Sequence, residues 1–316
     1  MLFSSTPFGW RAPAARHVHP ESAELVSSMS MRWDIRRNTL LDGARASRRD
    51  TTVRSPHPIV SDRRTSPGRR PANPPGDVYA ADVRTEPVLL VHGFASSFDL
   101  NWVRNGWPDL LADAGRRVIP LDLLGHGSSA KPHDPAAYGD LEQCVLDALP
   151  ADGSSVDAIG FSLGALTLVR AVGAAPSRFG RVVLAGIGEH SMRASDAEPI
   201  ARAIEAGLTD VHGDGDEGTL ARAFAQFAAN GTNDAHALAA CMRRSRTPLT
   251  PTELAAVTAP TLVVIGDKDF VGSAQPIVDA LPNARLVTLR NCDHFGTPQH
   301  FGFLDAALGF LDAAPR

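Results

Sequence analysis

The chain has 316 residues, 43% hydrophobic and 21% charged, with a formal net charge of −4, proportions ordinary for a globular protein. No apolar run approaches the roughly 18 residues of a membrane-spanning helix, so membrane insertion is not expected. The three cysteines, Cys144, Cys241 and Cys292, are far apart and form no CxxC pair, which argues against a disulfide framework or a zinc–cysteine site and favours a reducing, cytoplasmic setting.

The charge is unevenly spread. Residues 1–75 carry 13 Arg, no Lys and six acids, whereas the remaining 241 residues carry 18 basic and 29 acidic side chains, a balance of −11. An acidic body is a poor match for nucleic acid, and none is expected as a partner. The first 75 residues also hold nine prolines and no apolar period, so they bury too little surface to offset their ordering entropy. No apolar core of about 7–15 residues marks a secretory signal, and Glu21, Glu24 and Asp34 are wrong for a transit peptide. Residues 1–75 therefore read as a disordered tail, with at most a short helix at 21–34, and residues 76–316 as the folded domain.

Within that domain, β-rich apolar runs at 87–91, 117–121, 156–160, 181–186, 261–265 and 285–289 alternate with helical patterns at 102–114, 138–149, 163–174, 252–257 and 300–311. Such alternation predicts a doubly wound α/β fold with a mostly parallel sheet, and continuous apolar strands suit burial on both faces. One interval breaks the rhythm. About 189–248 shows only helical stripes: Ile200, Ala203, Ile204 and Leu208; then Leu220, Ala223, Phe224 and Phe227; then Leu238, Cys241 and Met242. A turn at 214–218 separates the first two. An insertion after a strand reads as a helical lid over the strand ends, and the stripes read first as its internal packing.

Gly160-Phe161-Ser162-Leu163-Gly164 sits between an apolar strand and an apolar helix, which is the context a G-x-S-x-G nucleophile elbow requires. Presenting Ser162 at such a tip strains the backbone, and small residues at 160 and 164 let strand and helix approach.

From these residues the chain resembles the α/β-hydrolase superfamily over roughly residues 85–314. Val88-Leu89-Leu90-Val91-His92-Gly93-Phe94 resembles its first strand and His-Gly loop. Asp122-Leu123-Leu124-Gly125-His126-Gly127-Ser128-Ser129 resembles its second glycine loop, with Leu124 where arginine is frequent. Gly266-Asp267-Lys268-Asp269 and Asn291-Cys292-Asp293-His294-Phe295 resemble its acid and histidine loops. The family's initial strands would fall before residue 85, where only 78–81 and 83 are plausible.

The resemblance implies catalytic residues in the order Ser, acid, His. Ser162 is the expected nucleophile and His294 the expected base. For the acid, the family pattern favours Asp269, with Asp267 and Glu189 as competitors. Backbone N–H groups of Phe94 and Leu163 would form the oxyanion hole, and Phe94, Phe224 and Phe227 would line an apolar substrate pocket. Cys292 reads as a packed thiol, since nothing cationic nearby would make it a thiolate. A serine nucleophile argues against haloalkane dehalogenase and epoxide hydrolase chemistry. The expectation is a hydrolase acting on the carboxylic ester of a small to medium apolar substrate, with no metal or organic cofactor. Thioesterase, acyltransferase and carbon–carbon hydrolase remain alternatives, as does a small-molecule sensor with slow or no turnover.

Overall fold

The computed structural model describes residues 85–207, 216–229, 233–245 and 247–313. The tail, the candidate strand positions 78–81 and 83, Leu208 and the start of the 214–218 turn lie outside these residues. The described elements run β1 (Val88–Val91), α1 (Trp107–Asp113), β2 (Val118–Leu121), α2 (Leu141–Asp147), β3 (Val156–Phe161), α3 (Leu163–Ala174), β4 (Phe179–Ala185), α4 (Glu198–Ala206), α5 (Asp216–Ala229), α6 (Ala235–Arg243), α7 (Pro251–Ala255), β5 (Thr261–Gly266), α8 (Gln275–Ala280), β6 (Ala284–Leu289) and α9 (Phe301–Phe310).

Six strands form one sheet in the order β2-β1-β3-β4-β5-β6, and every pairing is parallel. Alternate strand residues face opposite ways. Leu89, Val91, Val182, Leu184 and Val263 pack with Leu141 of α2, Leu168 of α3, Leu254 of α7 and Ile277 of α8. Val88, Leu90, Ile159, Val183 and Val264 pack with Trp107 and Leu111 of α1 and with Phe303 of α9. Both faces are thus covered, which is why the strands read as unbroken apolar runs.

Several helix boundaries differ from the sequence expectation. The helix expected at 102–114 is split into a π-helical turn, Asp99–Val103, and α1. Gly106 between them has φ +76°, and Pro108 follows in the first turn of α1. A proline has no N–H for the preceding turn and favours a fresh start. The helix expected at 138–149 contracts to α2, preceded by a 3-10 turn at Pro135–Tyr138. The short α8 carried too little periodicity to be anticipated.

Between β4 and β5 lie α4, α5 and α6. The seam between α4 and α5 is made of Ala203, Ala221 and Ala225, with Ile200 beside them. Small side chains let two helices approach closely, while Phe224 and Phe227 of the bulkier stripe are half-buried against the main core, which includes Ile204, Leu238 and Met242. Arg243 of α6 binds Glu198 at 2.9 Å and Glu205 at 2.6 Å on α4.

At the other end of the sheet a fully buried ion pair ties five segments together. Arg116 donates from Nη2 to Asp157 Oδ2 at 2.6 Å, from Nε to the Glu86 carbonyl at 2.8 Å and from Nη1 to the Leu311 carbonyl at 2.7 Å. Asp157 Oδ1 accepts the Arg181 N–H at 2.7 Å. Both side chains are 0% exposed, so neither charge can turn to water for replacement partners. Arg116→Ala is expected to cost about 3–5 kcal/mol in urea denaturation, because it strands the Asp157 carboxylate. A loss below about 1 kcal/mol would show that the pair is dispensable.

Candidate active site

β3 ends at Phe161 and α3 begins at Leu163, so Ser162 alone makes the turn. It does so at φ +52° and ψ −113°, a conformation that costs a residue with a side chain on the order of 1–3 kcal/mol. Its N–H donates to the Ala185 carbonyl at 2.8 Å, and its own carbonyl accepts the Leu166 N–H at 3.0 Å. A Cβ on Gly160 would lie 2.7 Å from the Gly164 oxygen, and one on Gly164 would collide with the carbonyl oxygens of Val91 and His92. Two glycines are therefore needed for the turn to exist.

The turn brings Ser162 Oγ to 2.9 Å from His294 Nε2. His294 Nδ1 lies 2.9 Å from each carboxylate oxygen of Asp269. A carboxylate can only accept, so the Nδ1 proton points at Asp269 and Nε2 is left to accept from the serine hydroxyl. Asp269 is 0% and His294 4% exposed at the side chain. Asp269 Oδ1 also accepts the Val271 N–H at 3.1 Å, which fixes the carboxylate from behind.

The two competing acids lie elsewhere. Glu189 pairs with Arg193 at 2.9 Å. Asp267 is exposed and accepts the Cys292 N–H at 3.2 Å. Backbone N–H bonds from Asn291 and Cys292 hold its carboxyl below the ordinary value. Asp267 therefore braces the histidine loop without touching the imidazole. The Cys292 thiol is buried, and burial pushes its pKa up, the opposite of what a nucleophilic thiolate requires.

Phe94 and Leu163 are both buried. Among the described residues neither backbone N–H donates to a protein acceptor. The loop bearing Phe94 is held by side chains from three directions. Gly93 N–H donates to Asn101 Oδ1 at 3.0 Å. Asp122 accepts Phe98 N–H at 2.7 Å and Ser128 N–H at 2.8 Å. Asn233, from the insertion, donates to the Ser96 carbonyl at 3.0 Å and accepts Gly127 N–H at 2.8 Å. Burial works against the Asp122 charge, yet the N–H bonds from Phe98 and Ser128 outweigh it and its pKa falls below the ordinary carboxylate value.

Two buried histidines underlie this loop. His92 Nε2 accepts the Leu123 N–H at 3.0 Å while Nδ1 donates to the Gly93 carbonyl at 2.7 Å, so the ring is neutral. His126 Nδ1 donates to the Leu124 carbonyl at 2.9 Å. Burial first, and the neighbouring His92 second, lower its pKa to about 3.

Aromatic rings close over the site. Phe224 of α5 lies 6.0 Å from Phe94, 5.9 Å from Phe270 and 5.7 Å from Phe295, and Phe227 lies 5.3 Å from Phe295. The His294 ring sits 4.5 Å from Phe270 and 5.0 Å from Phe161. The three phenylalanines expected from the sequence are thus joined by Phe270 and Phe295, which were missed although each directly follows Asp269 or His294. Asn233 was missed as well, and nothing in its local sequence marks it. Among the described residues no cluster of three or more His, Cys, Asp or Glu could hold a metal ion.

The neutral histidines give the stability a definite pH dependence. Between about pH 6.5 and 3 the unfolded chain binds a proton at position 126 that the folded chain refuses, so stability is lost as the pH falls through that window. The slope is about 1.4 kcal/mol per pH unit for one such group. His126→Gln should flatten the profile by about one proton between pH 6 and 4 in chemical denaturation. Parallel profiles for the two proteins would contradict this.

A family model described as the alpha/beta hydrolase family matches residues 88–311, from the first residue of β1 to just beyond α9. A curated relative, the dihydrolipoyllysine-residue acetyltransferase component of the acetoin cleaving system of Pseudomonas putida, is 39% identical over 107 residues, 33% of this chain and 28% of that protein. The chain thus matches well under half the length of that relative. A hydrolase from Pseudomonas aeruginosa superposes with a TM-score of 0.55 at 25% identity, covering 72% of this chain and 90% of that one. The 2-hydroxy-6-oxo-6-phenylhexa-2,4-dienoate hydrolase of Rhodococcus gives 0.54 at 21% identity, covering 74% and 92%, and the enol-lactonase of Burkholderia xenovorans 0.53 at 20%, covering 72% and 92%. The last two likenesses speak for the fold alone. With the match running through the whole described sheet and both glycine loops, the chain belongs to the alpha/beta hydrolase family.

Proposed function

We propose that the chain is a serine hydrolase that cleaves a carboxylic ester, or a related acyl bond, of a small to medium apolar substrate. The observation that carries this reading is the continuous hydrogen-bonded path from Ser162 Oγ through His294 to Asp269. A serine hydroxyl is a poor nucleophile until a base takes its proton. As Oγ attacks the carbonyl carbon, His294 Nε2 receives that proton, and Asp269 orients and stabilises the imidazolium without accepting it.

The carbonyl oxygen becomes an oxyanion, for which the N–H groups of Leu163 and Phe94 are the donors, aided by the positive end of α3. His294 returns the proton to the leaving alcohol oxygen, and an acyl-Ser162 remains. Water then attacks the acyl carbon with His294 as base, releasing the carboxylic acid and restoring the serine. The inserted helices act as a lid, and Phe94, Phe224 and Phe227, with Phe270 and Phe295, supply the apolar walls.

A second reading, acyl transfer to an acceptor other than water, draws on the acetyltransferase relative. Partitioning of product between free acid and an added alcohol or thiol separates the two. Thioester and carbon–carbon substrates belong in the same assay, because the three residues serve those reactions equally.

A fluorophosphonate probe is expected to label the wild type at Ser162 and to leave Ser162→Ala unlabelled. His294→Ala should slow the chemical step nearly as much as Ser162→Ala, and the losses should not add when combined. Asp269→Asn should cost less than either. Asp267→Asn should be nearly silent, since its amide oxygen still accepts the Cys292 N–H. A crippled Asp267→Asn beside an active Asp269→Asn would reassign the acid.

For the pocket, Phe224→Ala should shift relative kcat/KM between short- and long-chain p-nitrophenyl esters by about tenfold or more. Equal effects on all chain lengths would mean that Phe224 only packs the inserted helices.

A further inference from the structure

A cavity of about 710 Å³ lies along the outer face of α3. Leu163, Leu166 and Arg170 line it from the helix, Tyr138 from the 3-10 turn before α2, Glu142 from the start of α2, and Arg244 from the segment that follows α6. Neither Ser162 nor His294 nor Asp269 contributes to its walls, so it is distinct from the aromatic cleft above the nucleophile.

The chemistry of the cavity is set by Arg244. Arg116 is matched to Asp157, Arg170 to Glu253 at 3.2 Å, and Arg243 to Glu198 and Glu205. Arg244 resembles instead the half-buried Arg178, which hydrogen-bonds the Pro150 and Ser154 carbonyls, but unlike Arg178 it lines the cavity. Its hydrogen bonds run to the Cys241 carbonyl and, at 3.5 Å, to the Cys241 sulfur. Among the described residues no carboxylate comes within ion-pairing distance of it. Glu253 is occupied by Arg170 and by the Thr250 N–H, and Glu142 reaches Arg244 only through space. Burial is the largest influence on the Arg244 pKa, and it lowers it. A half-buried cation with no counter-charge gains from an anion that completes it.

We propose that this cavity is a second ligand site, in which Arg244 holds the carboxylate of a ligand whose apolar body lies against Leu163, Leu166 and Leu249. A planar guanidinium suits a carboxylate because two parallel N–H bonds can form at once, and the leucine walls favour a hydrocarbon body over a small inorganic anion. Such an acid is the product class of the proposed ester cleavage, although occupancy of this site does not depend on turnover. Leu163 joins the two sites, since it lines the cavity and its N–H is one of the two donors assigned to the oxyanion in the proposed function.

Calorimetric titration with octanoate, octanol and inorganic phosphate tests the site. Octanoate is expected to bind wild type and Ser162→Ala alike, and more tightly than either octanol or phosphate. Arg244→Gln should weaken octanoate by about tenfold or more, while Arg244→Lys, which keeps the charge, should lose less. Leu166→Trp, which fills the cavity, should also block octanoate, and it carries the test if Arg244→Gln does not fold.

Octanoate affinity unchanged in Arg244→Gln and Leu166→Trp would overturn the proposal. So would no detectable octanoate binding, or phosphate binding as tight as octanoate. Loss of octanoate binding in Phe224→Ala but not in Arg244→Gln would place the acid in the aromatic cleft instead. Because binding is read without turnover, none of these outcomes can be mistaken for a failure of Ser162 to react.

Discussion

At the junction of β3 and α3, the helix comes so close to the Val91 and His92 carbonyls that one methyl group at position 164 would collide with them. That approach forces Ser162 into its left-handed turn and sets the direction of its hydroxyl. It also brings the first turn of α3 against the loop that follows β1, so the N–H groups of Leu163 and Phe94 belong to neighbouring backbone. The strain at Ser162 is sustained because hydrogen bonds to Ala185 and Leu166 hold the turn on both sides. A parallel sheet buried on both faces gives those bonds a rigid base.

The supports around the turn are polar and buried, which makes them sensitive to charge. Asp122 and Asn233 between them bind four backbone groups of the two glycine loops. His92 and His126 lie beneath in the neutral state that burial favours. Asn233 has a particular position in this arrangement, because it reaches from the inserted helices to Ser96 in the loop of Phe94. The same helices supply Phe224 and Phe227, so the segment whose rings meet Phe94 and Phe295 is also hydrogen-bonded to the loop of Phe94.

The sheet was legible in the sequence because strands buried on both faces are written as plain apolar runs, and because the turn at Ser162 tolerates so few residues. The order of the four glycine, acid and histidine loops pointed to Ser162, Asp269 and His294, which the fold brings within hydrogen-bonding distance of one another. Helix boundaries were less legible. Gly106 and Pro108 break a run that apolar periodicity alone reads as one helix, and α8 is too short to show a period. In α5 the bulky stripe drew attention, yet the helix seam is the alanine stripe beside it. Small residues leave a weak hydrophobic signal although they decide how closely helices pack. Asn233 acts on partners more than 100 residues away and Asn101 on a single backbone group, and neither leaves a local pattern.

The central claim is that the acyl group passes through Ser162. The direct test mixes the protein with p-nitrophenyl butyrate, quenches with acid within the first turnover and maps the peptides by mass spectrometry. A burst of p-nitrophenol close to one per chain is predicted, with the butyryl group on the peptide containing Ser162 and absent from Ser162→Ala. Turnover without a burst or adduct on any peptide, or a butyryl group on Cys292 instead, would contradict the account.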